Sequence, residues 1–357
     1  MVCIAAFIIL ALIGIFVAVI SIFKPQVGKA YLKMFKKAWG CLWKKVRLQK
    51  CETGFKEDVK NTILSRVIVK HPKWVKPLSV IIEIVSVLIV IITVWAILTA
   101  IKSLLALWAL GSCNVTKPSA CSMGAEMCSI DEDEPSNVFE ATGRWFTEWG
   151  EIFEAIPDKF KTYDAASYEF NYITVPGGKS ASRPVAVDIF DPGCSVCMVS
   201  YRNQKNAGFF NKYETRLVPF AIQDADGSYK FKNSEIIVKY ILAADAVKEG
   251  VGLKIIDKLF TEKNSESISY QNKFNEDYSR EDAINKLESW LKEFGLSEKE
   301  IKKIESYVNS EEISEGKNIE NMMSKNREIV ENELKIKGIP TTILDGKKHT
   351  GLWKAAE

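Results

Sequence analysis

The sequence predicts an α/β domain with a large helical insertion, preceded by two transmembrane helices. Two long apolar segments lie in the first third of the 357-residue chain. After residue 166, short β-rich runs alternate with turn residues, and a long block of helical pattern precedes the last two of these runs. The chain is therefore expected to divide into a membrane part and a folded part.

The first apolar segment, 1–23, contains no charged side chain. As a helix rising ~1.5 Å per residue, it would span roughly 33 Å, about the thickness of a bilayer core. A cleaved signal peptide is an alternative, but the run is long and lacks a basic start. The second segment, 78–110, has Glu83 as the only charge in its apolar core, 78–101. A buried core helix is the other alternative for each segment, and both are predicted to be membrane spans.

The loop between the spans, 24–77, is strongly basic. Residues 24–78 hold 15 Lys and Arg against 3 Asp and Glu, which leaves a net charge of −9 for 111–357. Short basic loops stay in the cytoplasm, so the amino terminus and everything after about Gly111 are expected outside the plasma membrane. Aromatic residues four apart in the loop favour an amphipathic helix on the inner leaflet over a nucleic-acid-binding segment. These residues are Tyr31, Phe35, Trp39 and Trp43.

Between the second span and the folded domain, 111–165 is predicted to be a linker with three cysteines and a helix. One helix, or two broken near Pro157, is expected within 137–163, where aromatic residues recur at helical spacing. The folded domain is 166–357. Its predicted strands are 168–175, 184–190, 215–223, 338–345 and 348–353, and its helical insertion is about 234–335.

Short local patterns predict several element ends in this domain. Two capping boxes, Ser279–Asp282 and Ser297–Glu300, are expected to start helices of the insertion. Gly295 is expected to end a helix. The pair Asp345-Gly346 predicts a tight turn, so the last two strands should form a hairpin.

Eight cysteines divide between the two sides of the predicted membrane. Cys41 and Cys51 fall in the reducing cytoplasm, where free thiols are expected. Six fall on the oxidising side, an even number that permits full pairing without fixing which cysteines pair. They are Cys3, Cys113, Cys121, Cys128, Cys194 and Cys197. A structural disulfide could form between Cys121 and Cys128, or between Cys113 and either of them. Cys3 could instead reach Cys113.

The motif Cys194-Ser195-Val196-Cys197 follows a predicted strand and a turn, Asp191–Gly193, and opens a predicted helix running to about residue 210. The unpaired N–H groups and positive dipole end of such a helix stabilise a thiolate at Cys194. Thiolates of this kind have a pKa of roughly 3.5–7.5, against about 8.5 for a free cysteine. Cys197 lies one turn further on, where it can resolve a mixed disulfide. A structural disulfide is the main alternative. Metal binding is not expected, because zinc sites need two CxxC pairs or one pair with nearby histidines, and the chain has one CxxC pair and only two histidines.

Two stretches of the sequence resemble motifs of the DsbA-like branch of the thioredoxin superfamily. Residues 187–197 resemble the family's strand-turn-CxxC block, including an acidic residue six positions before the first cysteine. Residues 337–342, Lys-Gly-Ile-Pro-Thr-Thr, resemble its cis-proline loop. The long helical block between them is also typical of this branch. The resemblance covers about 166–353 and implies a thioredoxin-like fold with a helical insertion.

The resemblance also implies roles for individual residues. Cys194 would be the nucleophile and Cys197 the resolving cysteine, with a buried Asp188 assisting proton transfer at Cys197. The peptide bond before Pro340 would be cis and face the motif. The implied substrate contacts are the backbone of Ile339, which would pair with a client strand, together with Ser195 and Val196. The redox-active group would be a Cys194–Cys197 disulfide, and no cofactor beyond these two cysteines is implied.

The sequence departs from the family pattern in three respects. No tryptophan precedes the motif, and the Ser-Val pair contains neither the histidine of strong oxidants nor the proline of strong reductants. Asp191 lies close enough to oppose a thiolate at Cys194. A long terminal helix is missing, or its place is taken by 137–163. An extreme redox potential is therefore not expected.

These features predict a membrane-tethered extracytoplasmic thiol:disulfide oxidoreductase, with the oxidase direction favoured because secreted proteins acquire disulfides in that compartment. A reductase or isomerase of the same fold is the alternative within the enzyme class. A non-catalytic client-binding or scaffold protein with a structural disulfide is the alternative outside it. The expected partners are the thiols and disulfides of extracytoplasmic client proteins, a membrane or soluble redox partner and the lipid bilayer, and no nucleic acid.

Overall fold

The structure is a computed structural model. It describes residues 32, 35–40, 43, 44, 47, 75–120, 126–130, 135–176, 183–224, 226–314 and 316–353. The first predicted span, 1–23, and most of the basic loop, 24–77, lie outside the described residues. In that loop, 35–40 and 43–44 are helical. The chain divides into two compact units, Met1–Ile101 and Lys102–Glu357.

Helix α1, Val75–Leu110, contains 36 residues and includes the second predicted span. Its segment Lys76–Leu110 is the one helix of the described chain that is long and apolar enough to cross a membrane. Many of its large apolar side chains are exposed. They include Ile81, Ile84, Leu88, Ile92 and Trp95.

A five-stranded mixed sheet forms the centre of the folded unit. Its strands are β2 (Ile173–Thr174), β3 (Val185–Phe190), β4 (Glu214–Pro219), β6 (Thr341–Leu344) and β7 (Lys347–Thr350), in the order β2-β4-β3-β6-β7. Strands β3 and β4 are parallel, and the other neighbours are antiparallel. Helices α3 (Ser195–Asn206) and α4 (Phe209–Lys212) connect β3 to β4. Because helices cover the sheet, the central strand β3 is buried along nearly its whole length, as its continuous apolar sequence predicts.

Several predicted elements are shorter than the sequence suggested. The predicted strands 215–223 and 348–353 end at Pro219 and Thr350, and two further differences have a visible cause. Only Ile173–Thr174 of the predicted strand 168–175 pairs with β4. The backbone N–H and C=O of Asn171 bond instead to the side-chain amide of Asn326, which takes the place of a neighbouring strand. The helix that was expected to run to about residue 210 ends at Asn206, because Gly208 has a φ of +71° and restarts the chain as α4.

The helical insertion connects β4 to the final hairpin. Its helices are α5 (Ser234–Val247), α6 (Val251–Thr261), α7 (Tyr270–Asn272), α8 (Arg280–Glu293), α9 (Glu298–Val308) and α10 (Ile319–Arg327), with π-helical turns at Lys273–Asp277 and Glu328–Glu333. Both predicted capping boxes are confirmed at the starts of α8 and α9. Gly295, with a φ of +80°, follows α8 as expected.

Helix α2, Val138–Ala155, precedes the sheet and is followed by a 3-10 turn at Pro157–Lys159, so the predicted break is confirmed. Ile152 of α2 packs in a small apolar cluster with Ala106 and Ala109 from the end of α1. Lys102 forms a largely buried ion pair with Glu148. The apolar side chains Phe139, Phe146 and Phe153, seven residues apart, are exposed.

A second, two-stranded sheet lies beside the hairpin. Strand β1, Cys128–Ser129, pairs antiparallel with β5, Gly338–Ile339. The predicted linker 111–165 therefore contributes a strand to the folded unit, which its sequence did not indicate. Gly338 allows this close approach, because a Cβ there would lie 2.5 Å from the sulfur of Met127.

Candidate redox site

Cys194 is the N-cap residue of α3 and is completely buried. The turn before it is held by Asp191, whose carbonyl oxygen accepts a hydrogen bond from the Cys194 N–H at 3.1 Å. The Asp191 carboxylate accepts hydrogen bonds from the N–H groups of Gly193 and Ile222, each at 2.7 Å, and from the hydroxyl of Ser234. Burial raises the pKa of Asp191 to about 6 despite these donors. This carboxylate organises the turn as well as adding negative charge to the site.

Gly193, immediately before the motif, fits where a side chain could not. A Cβ at this position would lie 2.3 Å from the Cβ of Phe231. Its carbonyl oxygen accepts hydrogen bonds from the side-chain amides of Gln271 at 2.5 Å and Asn275 at 2.7 Å. Both donors belong to the helical insertion, so the insertion fixes the backbone from which Cys194 projects. No pattern in the sequence indicated this contact.

The structure joins Cys194 to Cys128 in a disulfide, whereas a Cys194–Cys197 pair is expected from the sequence. Cys197 is a free, buried thiol. The suggested Cys121–Cys128 and Cys113–Cys128 pairings are therefore wrong for this structure, because the sulfur of Cys128 is already bonded. The pairing of β1 with β5 explains this disulfide, since it brings Cys128 to the first residues of α3. Cys113 is disulfide-bonded, whereas Cys121 and Cys3 lie outside the described residues.

Cys197 lies in a setting that keeps its thiol protonated. Burial raises its pKa well above the usual value, and the carboxylates of Asp191 and Asp188 raise it further. Asp188, on β3, is itself buried, and this raises its pKa to about 6, although a hydrogen bond from the Thr342 hydroxyl at 2.7 Å partly offsets the effect. At neutral pH, Asp188 is therefore mostly ionised and able to accept a proton from its neighbour.

The loop before β6 faces Cys194. The Ile339–Pro340 peptide bond is cis, and the carbonyl oxygen of Ile339 lies 4.0 Å from the Cys194 sulfur. Ile339 is also the residue opposite Cys128 in the β1–β5 pair. Of the two residues inside the motif, Ser195 is exposed and Val196 is half-buried. The described part of the chain contains no group of His, Cys, Asp and Glu residues that could hold a metal ion.

The arrangement combines a parallel β3–α3–β4 unit, an antiparallel β6–β7 hairpin and a cis-proline facing a CxxC motif at a helix start. The fold is thioredoxin-like. Its helical insertion lies between β4 and the cis-proline, which is the position that the sequence resemblance implied.

No family model and no curated protein matches the chain. Solved structures similar to it include the thiol-disulfide exchange protein alpha-DsbA2 from Wolbachia pipientis, with 17% identity and a TM-score of 0.36 over 60% of this chain and 93% of that one. A linker-deletion mutant of Proteus mirabilis ScsC has 15% identity and a TM-score of 0.37, over 63% of this chain and 94% of the other. The MdbA thiol-disulfide oxidoreductase from Corynebacterium matruchotii has 15% identity and a TM-score of 0.35, over 51% and 84% respectively.

Proposed function

We propose that this chain is a membrane-tethered thiol:disulfide oxidoreductase that exchanges disulfides with extracytoplasmic client proteins. The observation that carries the proposal is the position of Cys194. It is the N-cap of α3, it is engaged in a disulfide, and its sulfur lies 4.0 Å from the carbonyl oxygen that precedes the cis-proline. The geometry supplies a helix terminus for the Cys194 thiolate and a buried thiol, Cys197, one turn away.

In the oxidative direction, the reactive form has a Cys194–Cys197 disulfide. A client thiolate attacks the Cys194 sulfur, the bond to Cys197 breaks, and Cys197 leaves as a thiolate. Asp188 in its protonated form supplies the proton that Cys197 takes up. A second client thiolate then attacks the client sulfur of the mixed disulfide and releases Cys194. The client loses two electrons and the site gains two, which a separate redox partner must remove.

In the reductive direction, the Cys194 thiolate attacks a client disulfide and Cys197 resolves the product, with Asp188 accepting its proton. The oxidase direction is favoured because the proposed compartment is one in which secreted proteins acquire disulfides. The redox equilibrium of the full-length chain with glutathione tests the direction. A potential of about −120 mV would support an oxidase, whereas one of about −270 mV would support a reductase and overturn the favoured direction.

The membrane tether is supported by α1 and by the surface of α2. Exposed phenylalanines at intervals of seven residues give α2 an apolar stripe, on the side of the helix away from the largely buried Glu148. Such a stripe suits a helix lying at a membrane surface. The proposed topology keeps the basic loop in the cytoplasm.

Labelling of introduced cysteines tests the topology in intact cells. Asp226→Cys, at an exposed side chain of the folded unit outside α2, should react with a membrane-impermeant maleimide. Trp39→Cys, in the basic loop, should react only after the cells are permeabilised. The reverse pattern would place the folded unit in the cytoplasm and overturn the localisation.

Trapping distinguishes an enzyme from a scaffold with a structural disulfide. A Cys128→Ser/Cys197→Ser double variant retains Cys194 but lacks both intramolecular sulfurs that can compete for it. It should accumulate mixed disulfides with client proteins, and the matched triple variant that also carries Cys194→Ser should accumulate none. If the double variant traps nothing and the wild-type disulfide resists millimolar glutathione, the chain is a scaffold.

A further inference from the structure

Strand β1 occupies the edge of the cis-proline loop. Cys128 lies opposite Ile339 in an antiparallel pair, and the Ile130 N–H donates a hydrogen bond to the Lys337 carbonyl oxygen at 3.0 Å. An extended peptide that binds by adding a strand to an exposed edge makes the same backbone contacts. A segment of the same chain therefore lies where a client strand would add to this edge.

The sulfur of this added strand is bonded to the reactive cysteine. Cys128 and Cys194 are 66 residues apart in sequence, and the β1–β5 pairing brings them together. Cys194 is completely buried in the bonded state, whereas Cys128 is half-buried. The bond joins an edge strand to an N-cap cysteine, as a mixed disulfide with a client would.

The strand is held by contacts that do not depend on the disulfide. Met127 and Ile130 are buried, and Ile130 packs in the main core. The Lys230 ammonium group donates to the Ser129 carbonyl oxygen at 3.1 Å, and the Ser129 hydroxyl accepts from the Ser119 N–H at 3.0 Å. If the sulfur–sulfur bond opens, these contacts keep Cys128 within reach of Cys194.

We propose that 126–130 is an internal occupant of the client edge and that Cys128 is a third redox cysteine, whose bond to Cys194 exchanges with Cys197. This inference rests on the function proposed above. It adds that the segment 126–130 competes with client strands for the same edge. A client must displace the strand, or react while Cys194 is paired with Cys197. Clients that pair weakly with the loop are then excluded.

The internal exchange needs no oxidant or reductant. The Cys197 thiol gives its proton to the ionised Asp188 carboxylate, and the resulting thiolate attacks the Cys194 sulfur. The Cys194–Cys128 bond breaks as the Cys194–Cys197 bond forms. Cys128 leaves as a thiolate and takes a proton from water. One disulfide replaces another, so the protein carries the same number of oxidising equivalents before and after.

The first experiment measures exchange in the oxidised full-length protein in detergent. Iodoacetamide is added under native conditions, and mass spectrometry of peptides follows the alkylation of Cys128 with time. We expect Cys128 to be alkylated about tenfold or more faster in the wild type than in Cys197→Ala, because only the wild type has a thiol that can release it. Equal rates, or no alkylation in either protein, would overturn the proposal.

The second experiment measures turnover of a fluorescent synthetic peptide with two cysteines. The dithiol form is offered with glutathione disulfide as the oxidant, and the disulfide form with glutathione as the reductant. Cys128→Ser removes the covalent link that holds the strand at the client edge, so a client can displace the strand more easily, and it keeps Cys194 and Cys197. We expect kcat/KM to rise severalfold in this variant, mainly through a lower KM. Cys41→Ser, which removes a cysteine from the basic loop, is the matched control and should not change the rate.

The outcomes separate the two proposals. If Cys128→Ser and the wild type turn over the peptide equally and Cys128 resists alkylation, the internal exchange is wrong while the enzyme function stands. If neither protein turns over either form of the peptide, the proposed function itself is wrong. Circular dichroism of each variant shows whether a low rate reflects unfolding.

Discussion

Two sulfurs compete for Cys194, and their surroundings differ sharply. Cys197 lies on the same helix, is buried beside two carboxylates, and has a raised pKa. Cys128 lies on an edge strand and is half-buried. The buried partner reacts only when a base removes its proton, whereas the edge partner occupies a place that another strand could take. The difference indicates that proton transfer controls the reaction of Cys194 with Cys197, whereas access of a client strand controls its reaction with Cys128.

The largest expected effect comes from removing the sulfur that both partners share. Cys194→Ser should reduce exchange with the dithiol peptide to the uncatalysed rate, because neither Cys128 nor Cys197 can then form a disulfide at this position. Stopped-flow fluorescence of the peptide measures the loss. Adding Cys128→Ser to this variant should change nothing further, and appreciable residual activity in either variant would show that another cysteine reacts with clients.

A second prediction isolates the reaction with Cys197 through Asp188. Asp188→Asn cannot accept or give up a proton, so exchange at pH 7 should slow by roughly 100-fold or more. In the wild type, the reductive rate should rise as the pH increases through about 6, where this carboxyl ionises. The pH profile of Asp188→Asn should lose that rise. Asp226→Asn, at an exposed carboxylate, is the control and should keep it.

The same carboxyl also gives a signed prediction for stability. Its pKa is raised from the ordinary 3.8 to about 6, so the folded state binds this proton more tightly than the unfolded state does. The stabilisation is complete below pH 3.8 and is lost as the pH rises through about 6. The free energy of unfolding of Asp188→Asn should therefore improve relative to the wild type between pH 4 and pH 7, on the order of 2 kcal/mol. Urea titrations at each pH measure the trend, and a constant difference would contradict it.

The part of the site around Cys197 was largely predictable because the residues that form it are close together in sequence. The apolar run of β3, the turn at Asp191–Gly193 and the helix that follows are contiguous in sequence, and each has a physical signature that does not depend on distant residues. The capping boxes of α8 and α9 are local in the same way.

The position of Cys128 could not be predicted, because it depends on residues that are far apart in sequence. Strand β1 is two residues long, too short to show alternation, and its partner lies more than two hundred residues away. The hydrogen bonds from Gln271 and Asn275 to the Gly193 carbonyl oxygen likewise depend on how the helical insertion packs. Cysteine counting left the pairing open, and only the sheet register assigns Cys128 to Cys194.

A fourth prediction tests the turn before Cys194, Asp191–Gly193. Gly193→Ala places a Cβ 2.3 Å from the Cβ of Phe231, so the turn or the insertion must shift. We expect a loss of about 1–3 kcal/mol in the free energy of unfolding, measured by urea denaturation. Gly150→Ala, in α2 with nothing within 4 Å of the added carbon, is the matched control and should be neutral or slightly stabilising. Equal stabilities for the two variants would show that the close packing is not important.

The smallest effect should come from Thr342, which acts on the site through its hydrogen bond to Asp188. Its hydroxyl donates to Asp188 at 2.7 Å and favours the ionised carboxylate. Thr342→Val should raise the pKa of Asp188 further and destabilise the protein by about 1 kcal/mol, because a buried acceptor loses a donor. The midpoint of the pH–rate profile should move upward, while kcat/KM for the peptide at high pH stays near the wild-type value. Thr174→Val, at an exposed position of β2, is the matched control and should leave the midpoint unchanged. A downward shift in Thr342→Val would mean that the hydroxyl does not stabilise the charge on Asp188, and the proton-transfer role of this carboxylate would then need another explanation.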